Sequence, residues 1–394
     1  MNLIEDLRWR GLLAQSTDEA ALLESLKKPI TLYCGFDPTA PSLHTGNLVV
    51  LLVLRRFQLA GHNPIALVGG ATGLVGDPSG KNEERTLNST EIVEGWVNRI
   101  RKQVSAFLDF DAPKNPALVV NNLDWTSPLS AIEFLRDIGK HFSVNQMLSK
   151  DSVSARLEGG GISYTEFSYQ VLQSYDFLEL YRRNNCTLQV GGSDQWGNIV
   201  AGLDLIRRVE QGSGHALTVP LLMKADGTKF GKTAGGSVWL DPEMTSPYAF
   251  FQFWLNSDDK DVINFLKVFS FKTHDEIKEL EKSHNENPGL REAHRALARE
   301  LTALVHSEET TQRVEAAARA LFGQGELSEL DEATLASALA ELPRTTISAQ
   351  EEIPTWVDLL AATGVVDSKS AARRIVKEGG AYLNNEKISG EDFR

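Results

Sequence analysis

The sequence predicts an α/β fold, with a parallel sheet in the first half of the chain and helices in the second half. In the first half, apolar runs rich in β-branched residues alternate with stretches of helical periodicity. Such a βαβ pattern is typical of a parallel sheet that helices cover on both faces. After Asp241 and Pro242 the strand patterns end, and helical periodicity continues alone.

The expected elements of the sheet follow one another along the first half. The strand candidates are residues 30–34, 65–68, 117–121, 187–190 and 217–222. Helices are expected over residues 46–59, 91–107 and 194–209. Ligands of parallel sheets bind beyond the carboxyl ends of the strands. The run from Tyr33 to Thr39 lies where the first strand ends, so we expect it in the binding crevice.

The second half is expected to hold three further parts. Helical patterns cover residues 247–255, 261–269, 273–282 and 289–306. A linker with a short helix near 333–342 follows, and then come two short helices at 356–361 and 368–377 with a turn and strand at 379–385. The predicted divisions are 1–241 for the sheet domain, 242–320 for a helical domain, 321–352 for an acidic linker and 353–394 for a final α+β module.

Composition limits the class of protein. With 394 residues and 42% hydrophobic content, the chain is long enough for two or three domains with buried cores. Its two cysteines, Cys34 and Cys186, are too few for a disulfide framework or a four-ligand zinc site. No secretory signal and no apolar run of the ~18 residues that span a bilayer are visible. We therefore expect a cytoplasmic protein without membrane association and without structural metal.

The charge is unevenly distributed. A net charge of -13 argues against general nucleic-acid affinity, which depends on Lys and Arg neutralising phosphates. Residues 321–352 carry seven acids against one arginine, a net charge of -6. Residues 368–390 carry five basic against two acidic side chains, a net charge of +3. A basic module thus follows an acidic connector, and an RNA partner remains compatible with the overall charge.

The common nucleotide and hydrolase motifs do not fit. Gly69–Gly76 is glycine-rich after a strand but lacks the Gly-x-Gly-x-x-Gly register, and the residues around Gly80 and Lys81 do not complete a phosphate loop. Ser193 has no glycine two residues later, as a serine hydrolase requires. What remains is a strand, a polar turn and a helix entered at Gly46, whose free N–H groups would face phosphate or ribose oxygens.

Two separated segments suggest a polyphosphate site. The first is His44-Thr45-Gly46-Asn47, and the second is Lys229-Phe230-Gly231-Lys232-Thr233. Taken alone, the histidine is typical of a structural residue, and the Lys-x-x-Lys pair is typical of a solvent-exposed loop. If the fold brings them together, an imidazole and two ammonium groups converge on one polyphosphate, which suits adenylate formation from ATP.

These segments resemble the signatures of a known family, the bacterial-type tyrosyl-tRNA synthetases of class I. The first is similar to the family's His-Ile-Gly-His signature and the second to its Lys-Met-Ser-Lys-Ser loop. Four more runs resemble the family in the same order: Tyr33 to Thr39, Gly76 to Lys81, Tyr164 to Gln170 and Gly191 to Asn198. The resemblance covers essentially the whole chain. It implies a Rossmann-like catalytic domain, an α-helical domain on the anticodon side, and a final RNA-binding module similar to ribosomal protein S4.

The resemblance also implies roles for residues of this sequence. Those expected to act on the phosphates during catalysis are Thr39, His44, Lys81, Arg85, Lys229, Lys232 and Thr233. Those expected to bind tyrosine are Tyr33, Asp77, Tyr169, Gln173, Asp176 and Gln195. Those expected to bind ATP are Cys34, Gly35, Asp37, His44, Gly46, Asn47, Gly192, Asp194, Lys229 and Lys232. The expected partners are L-tyrosine, ATP with Mg²⁺, tRNA(Tyr) and a second copy of the chain, with no protein metal site.

Some residues admit a plainer interpretation. Tyr169, Gln173 and Asp176 lie on one face of a helix, and spacing alone fits an ordinary polar stripe equally well. Lys81 and Arg85 lie in a polar run that on its own indicates a solvated loop. Cys34 is as consistent with a small buried hydrophobe as with a ribose contact.

The sequence departs from the family pattern in three places. Asn47 replaces the second histidine of the first signature, and Thr45 replaces its isoleucine. Family members continue beyond the point that matches Arg394, which implies an incomplete final module. Two other functions are compatible with parts of this pattern. A tryptophanyl enzyme is disfavoured because Tyr33 and Asp176 suit a phenol. A catalytically inactive RNA-binding relative is disfavoured by the intact His44, Lys229 and Lys232.

Overall fold

The computed structural model describes residues 2–78, 88–149, 153–154, 157, 161–233, 236–321, 332–339, 345–346, 354–384 and 386–388. Most of the expected acidic linker, 321–352, lies outside the described residues, and its assignment stays a prediction.

A largely parallel sheet carries the first half of the chain. Among the described residues it has six strands: β1 (Gln15–Ser16), β2 (Thr31–Phe36), β3 (Asn63–Val68), β4 (Leu118–Asn121), β5 (Cys186–Gly192) and β6 (His215–Val219). Their order across the sheet is β1-β6-β5-β2-β3-β4. Neighbours from β6 to β4 run parallel, whereas β1 pairs antiparallel with β6. The predicted parallel sheet is confirmed, and the edge strand β1 is too short to leave a periodic signal.

Both faces of the sheet are covered. In β3, Ile65, Ala66, Leu67 and Val68 are all buried. Successive side chains of a strand point to opposite faces, so a continuous buried run requires cover on both. This is the burial pattern of parallel sheets in α/β proteins, and it explains why β3 is apolar throughout rather than alternating.

Helices connect the strands and form most of the second half. In chain order, the α-helices of the described residues are α1 (Leu3–Trp9), α2 (Glu19–Ser25), α3 (Thr45–Leu59), α4 (Thr72–Val75), α5 (Thr90–Val104), α6 (Leu123–Thr126), α7 (Ala131–Glu133), α8 (Val144–Leu148), α9 (Tyr164–Asn184), α10 (Trp196–Glu210), α11 (Pro247–Leu255), α12 (Val262–Phe269), α13 (His274–Glu286), α14 (Glu292–His306), α15 (Glu308–Leu321), α16 (Glu332–Ala338), α17 (Trp356–Ala362) and α18 (Lys369–Glu378). Short irregular turns of helix lie at Phe134–Ile138, Gly139–His141, Ser193–Gln195 and Pro288–Leu290.

Two small antiparallel ladders complete the secondary structure of the described residues. One pairs β7 (Lys232–Thr233) with β8 (Gly236–Ser237), and the other pairs β9 (Tyr382–Leu383) with β10 (Glu386–Lys387). The second ladder lies where the sequence predicts a turn and a strand after α18.

The chain divides into two compact units. The first comprises Met1–Thr245 and Trp254–Leu301, and the second comprises Ser246–Phe253 and Thr302–Arg394. The sheet lies entirely in the first unit. Within the described residues, no helix is both long enough and apolar enough to cross a membrane.

Candidate functional site

The main cavity of the first unit lies where the strand order of the sheet reverses. From β2 the chain continues to β3 and β4 on one side, whereas β5 pairs with the other side of β2 and leads to β6. Such a reversal leaves a crevice beyond the carboxyl ends of the two central strands. The cavity there measures about 480 Å³, and residues of β2 and β5 line it.

The structure brings most of the expected site residues to this one cavity. The lining includes Tyr33, Cys34, Gly35, Asp37, Thr39, His44, Gly46, Asn47, Asp77, Tyr169, Gln173, Asp176, Gly192, Asp194, Gln195 and Lys229. Lys81 and Arg85 lie outside the described residues. For Lys232 and Thr233 the structure describes the backbone, which forms β7. The two separated signature segments therefore do reach a common cavity, represented by His44 and Lys229.

Asp176 is a buried carboxyl group on α9. Its side chain accepts hydrogen bonds from Asn122 Nδ2 at 3.0 Å and from Trp125 Nε1 at 2.8 Å. Burial raises the pKa of Asp176 to about 7, although these two hydrogen bonds act to lower it. Burying a carboxyl group without hydrogen-bond donors has a higher free-energy cost than burying one with donors. The hydrogen bonds from Asn122 and Trp125 therefore reduce the cost of burying Asp176.

Tyr33, on β2, lies close to Asp176 and has an unsatisfied hydroxyl. Its side chain is 1% exposed, and its Oη has no hydrogen-bond partner among the described residues. Burial, followed by the nearby Asp176 charge, raises the pKa of Tyr33, so the hydroxyl stays protonated. An unpaired buried hydroxyl is unfavourable, and its position in the lining means that a bound ligand can supply the missing partner.

A second carboxyl group, that of the partly buried Asp37, is joined to Asp176 through side chains. Asp37 accepts from Tyr169 Oη at 2.6 Å and from Thr72 Oγ1 at 2.6 Å. Thr72 Oγ1 in turn accepts from Asn122 Nδ2 at 3.0 Å, and Asn122 also donates to Asp176. We call this connected set, with Trp125, the carboxylate network. It holds side chains from four parts of the chain in fixed positions around the cavity.

The glycines after β3 make room for the carboxylate network. A Cβ atom at Gly69 would lie 2.0 Å from Asp37 Oδ1 and 2.3 Å from Thr72 Oγ1. A Cβ atom at Gly70 would lie 2.3 Å from Asn121 Oδ1. All three distances are far below van der Waals contact, so any side chain would displace these polar groups. The glycine-rich run that superficially resembles a dinucleotide loop is therefore explained by close packing against the site.

A further polar group lies where α9 and α10 meet the cavity. Gln195 Nε2 donates to Asp77 Oδ2 at 2.7 Å. Asn198 Nδ2 donates to Gln173 Oε1 at 3.1 Å. Burial, and then the charge of Asp77, raise the pKa of Asp194. This corner combines acidic and amide groups, which can bind an ammonium group and hydroxyls.

His44 is the N-cap of α3, and its ring is fixed in one tautomer. Its Nδ1 accepts from the Gly46 N–H at 3.0 Å, while Asn47 Oδ1 accepts from the His44 N–H at 3.1 Å. Because Nδ1 accepts, the neutral imidazole carries its proton on Nε2. A Cβ at Gly46 would lie 2.8 Å from His44 Cε1, so only glycine allows the ring to take this position.

The first signature segment is in direct backbone contact with the residues just after β8, which follow the second segment in the chain. The Thr45 N–H donates to the Val238 carbonyl at 2.9 Å, and His44 forms an isolated antiparallel bridge with Trp239. Gly231 adopts φ +80°, and a Cβ there would lie 2.7 Å from Thr45 Oγ1. The glycine of the second segment thus packs onto the first, which fixes the spacing between them.

Lys229 is held at the cavity by its neighbour Phe230. Phe230 is buried among the rings of Trp254, Phe265 and Phe269, at centroid distances of 5.6, 5.0 and 5.2 Å. Residues 222–230 form a hairpin in which Lys229 bridges to Met223. Phe230 is buried in this cluster, and both it and Lys229 line the cavity.

One expectation about α3 is wrong. Free N–H groups were expected at its start, but the Gly46 N–H donates to His44 Nδ1 and the Asn47 N–H to the His44 carbonyl at 2.9 Å. The Thr45 N–H is engaged by Val238. These N–H groups already make hydrogen bonds within the protein. An anion at this position must therefore be bound by side chains rather than by the first backbone amides of α3.

The sequence analysis missed several residues of the site. Thr72, Asn122 and Trp125 belong to the carboxylate network, and Gln189 lines the cavity with a buried Oε1 that has no partner among the described residues. A signal for Asn122 did exist, because it directly follows β4 and so lies at the same edge of the sheet as the cavity.

Comparisons with known proteins agree with this geometry. Residues 24–323 match the family described as tRNA synthetases class I (W and Y). The chain is 62% identical to a tyrosine–tRNA ligase of Streptomyces avermitilis and 63% identical to one of Streptomyces coelicolor, each over 99% of this chain and 92% of the relative. A solved structure of a C-terminally truncated mitochondrial tyrosyl-tRNA synthetase from Aspergillus nidulans is 30% identical, with a TM-score of 0.73 over 81% of this chain and 94% of that one.

We predict that Asp176→Asn alters the pH dependence of stability. An unfolded aspartate loses its proton near pH 4, whereas folded Asp176 loses it near 7. Between these values the folded state holds a proton that the unfolded state has released. The stability of the unaltered chain therefore falls as the pH rises through this window and levels off above it.

Asparagine does not titrate, so its stability relative to aspartate should improve between pH 5 and 7.5 by on the order of 2 kcal/mol. Urea unfolding of both proteins at the two pH values measures this change. A stability difference that is the same at both pH values would contradict the burial of an ionisable carboxyl at position 176.

Proposed function

Because the chain belongs to the class I tRNA synthetases, among the tyrosyl-tRNA synthetases of bacterial type, we propose that its cavity binds L-tyrosine and ATP and ligates tyrosine to tRNA(Tyr). The observation that carries this proposal is that the unsatisfied Tyr33 hydroxyl and the buried Asp176 carboxyl group lie near each other in the cavity lining. Together they offer a donor and an acceptor, which suits the phenolic hydroxyl of tyrosine and leaves phenylalanine without a partner for either.

The remaining polar groups suit the rest of the amino acid. Asp77, Tyr169 and Gln173 would bind the ammonium group, with Gln195 holding Asp77 in place. Asp77 supplies the negative charge that an ammonium group requires. With the phenol at Tyr33, this arrangement orients the tyrosine carboxylate towards the part of the cavity lined by His44.

In the first step, a carboxylate oxygen of tyrosine attacks the α-phosphorus of ATP. A new P–O bond forms as the bond to the β-phosphate oxygen breaks, giving tyrosyl-adenylate and pyrophosphate. Such chemistry asks the protein for positioning and for donors where negative charge develops, and no side-chain nucleophile is needed. Burial raises the pKa of Cys34 to about 12, so its thiol is not available as a thiolate.

His44 and Lys229 provide donors that this step requires. His44 in its fixed tautomer donates from Nε2 to a phosphate oxygen without changing its protonation state. Asn47, which replaces a histidine of the family signature, caps the His44 N–H and so acts on the orientation of His44. The residues expected to assist by resemblance are Thr39, Lys81, Arg85, Lys232 and Thr233.

ATP would lie against the carboxyl ends of β2 and β5. Gly35 and Gly192 allow close approach of the nucleotide, and Cys34, Asp37 and Asp194 lie near enough to contact its ribose. A Cβ at Gly192 would come within 2.5 Å of Asp194 Oδ1, so this glycine also preserves the position of that carboxylate.

Mg²⁺ would enter with ATP, held by the phosphates. Among the described residues, the cavity carboxylates of Asp37, Asp77 and Asp176 already accept hydrogen bonds from protein side chains. Asp194 lies beside the charge of Lys229. These groups therefore do not fit a dedicated protein site for the ion.

In the second step, a hydroxyl of the terminal tRNA ribose attacks the adenylate carbonyl, and AMP leaves. The expected S4-like module, 353–394, would contribute tRNA affinity. Arg373, Arg374 and Lys377 are exposed on α18, which gives this helix a basic face for phosphates. The divisions at 241, 320 and 352 and a cytoplasmic location belong to the same proposal.

The main test is tyrosine-dependent exchange of pyrophosphate into ATP. The unaltered protein should catalyse exchange, and His44→Ala or Lys229→Ala should slow it on the order of 100-fold, since each removes a donor to developing charge. Lys224→Ala is the matched control, because Lys224 lies in the same hairpin but outside the cavity lining.

One result would contradict the proposed function, and another would contradict only the assignment of the phosphate donors. Absence of tyrosine-dependent exchange in the unaltered protein would remove the function. Exchange that continues at full rate in both cavity variants would leave the function but remove the assignment of the phosphate donors.

Specificity should depend on the Tyr33 hydroxyl. Tyr33→Phe is expected to lower the ratio of kcat/KM for tyrosine over phenylalanine by about tenfold, the typical value of one hydrogen bond. Tyr175→Phe is the matched control, since Tyr175 is also buried but does not line the cavity. Exchange kinetics with the two amino acids measure the ratio, and equal ratios in all three proteins would refute the role of Tyr33.

We also propose that the chain forms a homodimer, as the resemblance implies. Several large apolar side chains between residues 132 and 164 are exposed: Ile132, Leu135, Val144, Leu148, Leu157 and Tyr164. A concentration of exposed apolar residues on one stretch favours burial against a partner. A second copy of this face would cover it.

Light scattering after gel filtration tests the dimer. The expected mass is twice the 43.4 kDa of one chain, and Ile132→Asp should reduce it to that of the monomer. Leu59→Asp is the control, because Leu59 and Ile132 are each 68% exposed but Leu59 lies at the end of α3. A monomeric unaltered protein, or a dimer unaffected by Ile132→Asp, would overturn the proposed surface.

A further inference from the structure

Three potential metal ligands meet in the first unit, away from the cavity. Asp259 lies between α11 and α12, His284 in α13 and His294 in α14. One possible ligand atom from each lies within 4.8 Å of the other two. None of these residues lines the ATP and tyrosine cavity, so their convergence has no explanation in the proposed reaction.

Hydrogen bonds hold both imidazoles through Nε2. His294 Nε2 lies 3.2 Å from Asp259 Oδ1 and 3.2 Å from the Ser257 carbonyl. His284 Nε2 lies 3.0 Å from the Asp259 carbonyl. A carbonyl oxygen only accepts, so the proton of each neutral ring belongs on Nε2 and the lone pair on Nδ1.

The Nδ1 atoms of both rings are left without partners. Each is buried and has no hydrogen-bond partner among the described residues. His294 is 0% exposed, so water does not satisfy its Nδ1 either. Each ring therefore keeps one lone pair that no described protein donor occupies, and one nitrogen of each ring lies within 4.8 Å of an Asp259 carboxylate oxygen. Two imidazoles and a carboxylate this close together form a donor set for a cation.

A simple His–Asp hydrogen bond is the plainer explanation of this cluster. It accounts for the contact between His294 and Asp259, but not for the second imidazole, whose ring centroid lies 5.6 Å from the first. It also leaves two buried nitrogens unsatisfied. Arg291 lies 3.9 Å from the same oxygen of Asp259 and competes with a cation there, which limits the affinity.

We propose that Asp259, His284 and His294 bind a divalent transition metal of the zinc class. Two imidazoles and one carboxylate are a ligand set that zinc accepts, with water completing a four-coordinate site. Magnesium and calcium prefer oxygen ligands alone and do not suit two imidazoles. The bound ion would tie the connection between α11 and α12 to α13 and α14. The site is independent of the proposed ligase activity.

No motif in the sequence indicates such a site. The three ligands come from three separate segments, and their spacing matches no common zinc motif. Only the packing of α13 and α14 against the preceding connection brings them together.

Zinc binding to the full-length chain tests the proposal. After dialysis against a chelator, titration calorimetry should show one Zn²⁺ bound per chain, and Zn²⁺ should raise the thermal unfolding midpoint. Co²⁺ used as a probe should give the visible absorption bands of a four-coordinate ion. Tyrosine-dependent exchange, followed in parallel, reports on the ligase activity separately.

Two accessible ligands are altered, because truncating the fully buried His294 risks unfolding the protein. Asp259→Asn and His284→Gln should each weaken Zn²⁺ binding on the order of 100-fold and remove the stabilisation. His141→Gln, at a histidine remote in sequence from the cluster, should bind zinc like the unaltered chain. Absence of stoichiometric binding, or binding that both ligand variants retain, would overturn the proposal.

Discussion

The site depends on providing enough hydrogen-bond donors for two carboxyl groups, the buried Asp176 and the partly buried Asp37. A buried carboxyl group that lacks donors costs far more than any single packing contact contributes. The carboxylate network meets this requirement by sharing donors, with Asn122 linking the two ends. The glycines after β3, the end of β4 and the face of α9 are all constrained by that need.

The carboxylate network also explains why the two sides of the cavity differ in chemistry. Asn122 and Trp125 donate hydrogen bonds to the Asp176 carboxyl group, whereas the Tyr33 hydroxyl has no partner among the described residues. A phenol can therefore satisfy Tyr33 and use the remaining acceptor capacity of Asp176. The phosphate side is built differently, from a capped histidine and a lysine whose neighbour Phe230 anchors the hairpin in an aromatic cluster.

Much of this could be predicted from the sequence, because hydrophobic periodicity is local and strand ends locate the crevice. The run from Tyr33 to Thr39 and residues of both signature segments lie at the cavity, as expected. Asn122 and Trp125 were missed because their role depends on α9 packing beside the end of β4. The free amides expected at α3 were wrong because the His44 cap uses them, and a hydrogen bond between a ring and a neighbouring amide leaves no periodic trace.

A crystal structure with bound tyrosine tests the central claim most directly. The phenolic oxygen should lie within hydrogen-bond distance, about 2.6 to 3.0 Å, of both Tyr33 Oη and an Asp176 carboxylate oxygen. The ammonium group should then lie at Asp77 and Tyr169. Tyrosine bound the other way round, with its phenol beside His44 and its ammonium group at Asp176, would contradict the account.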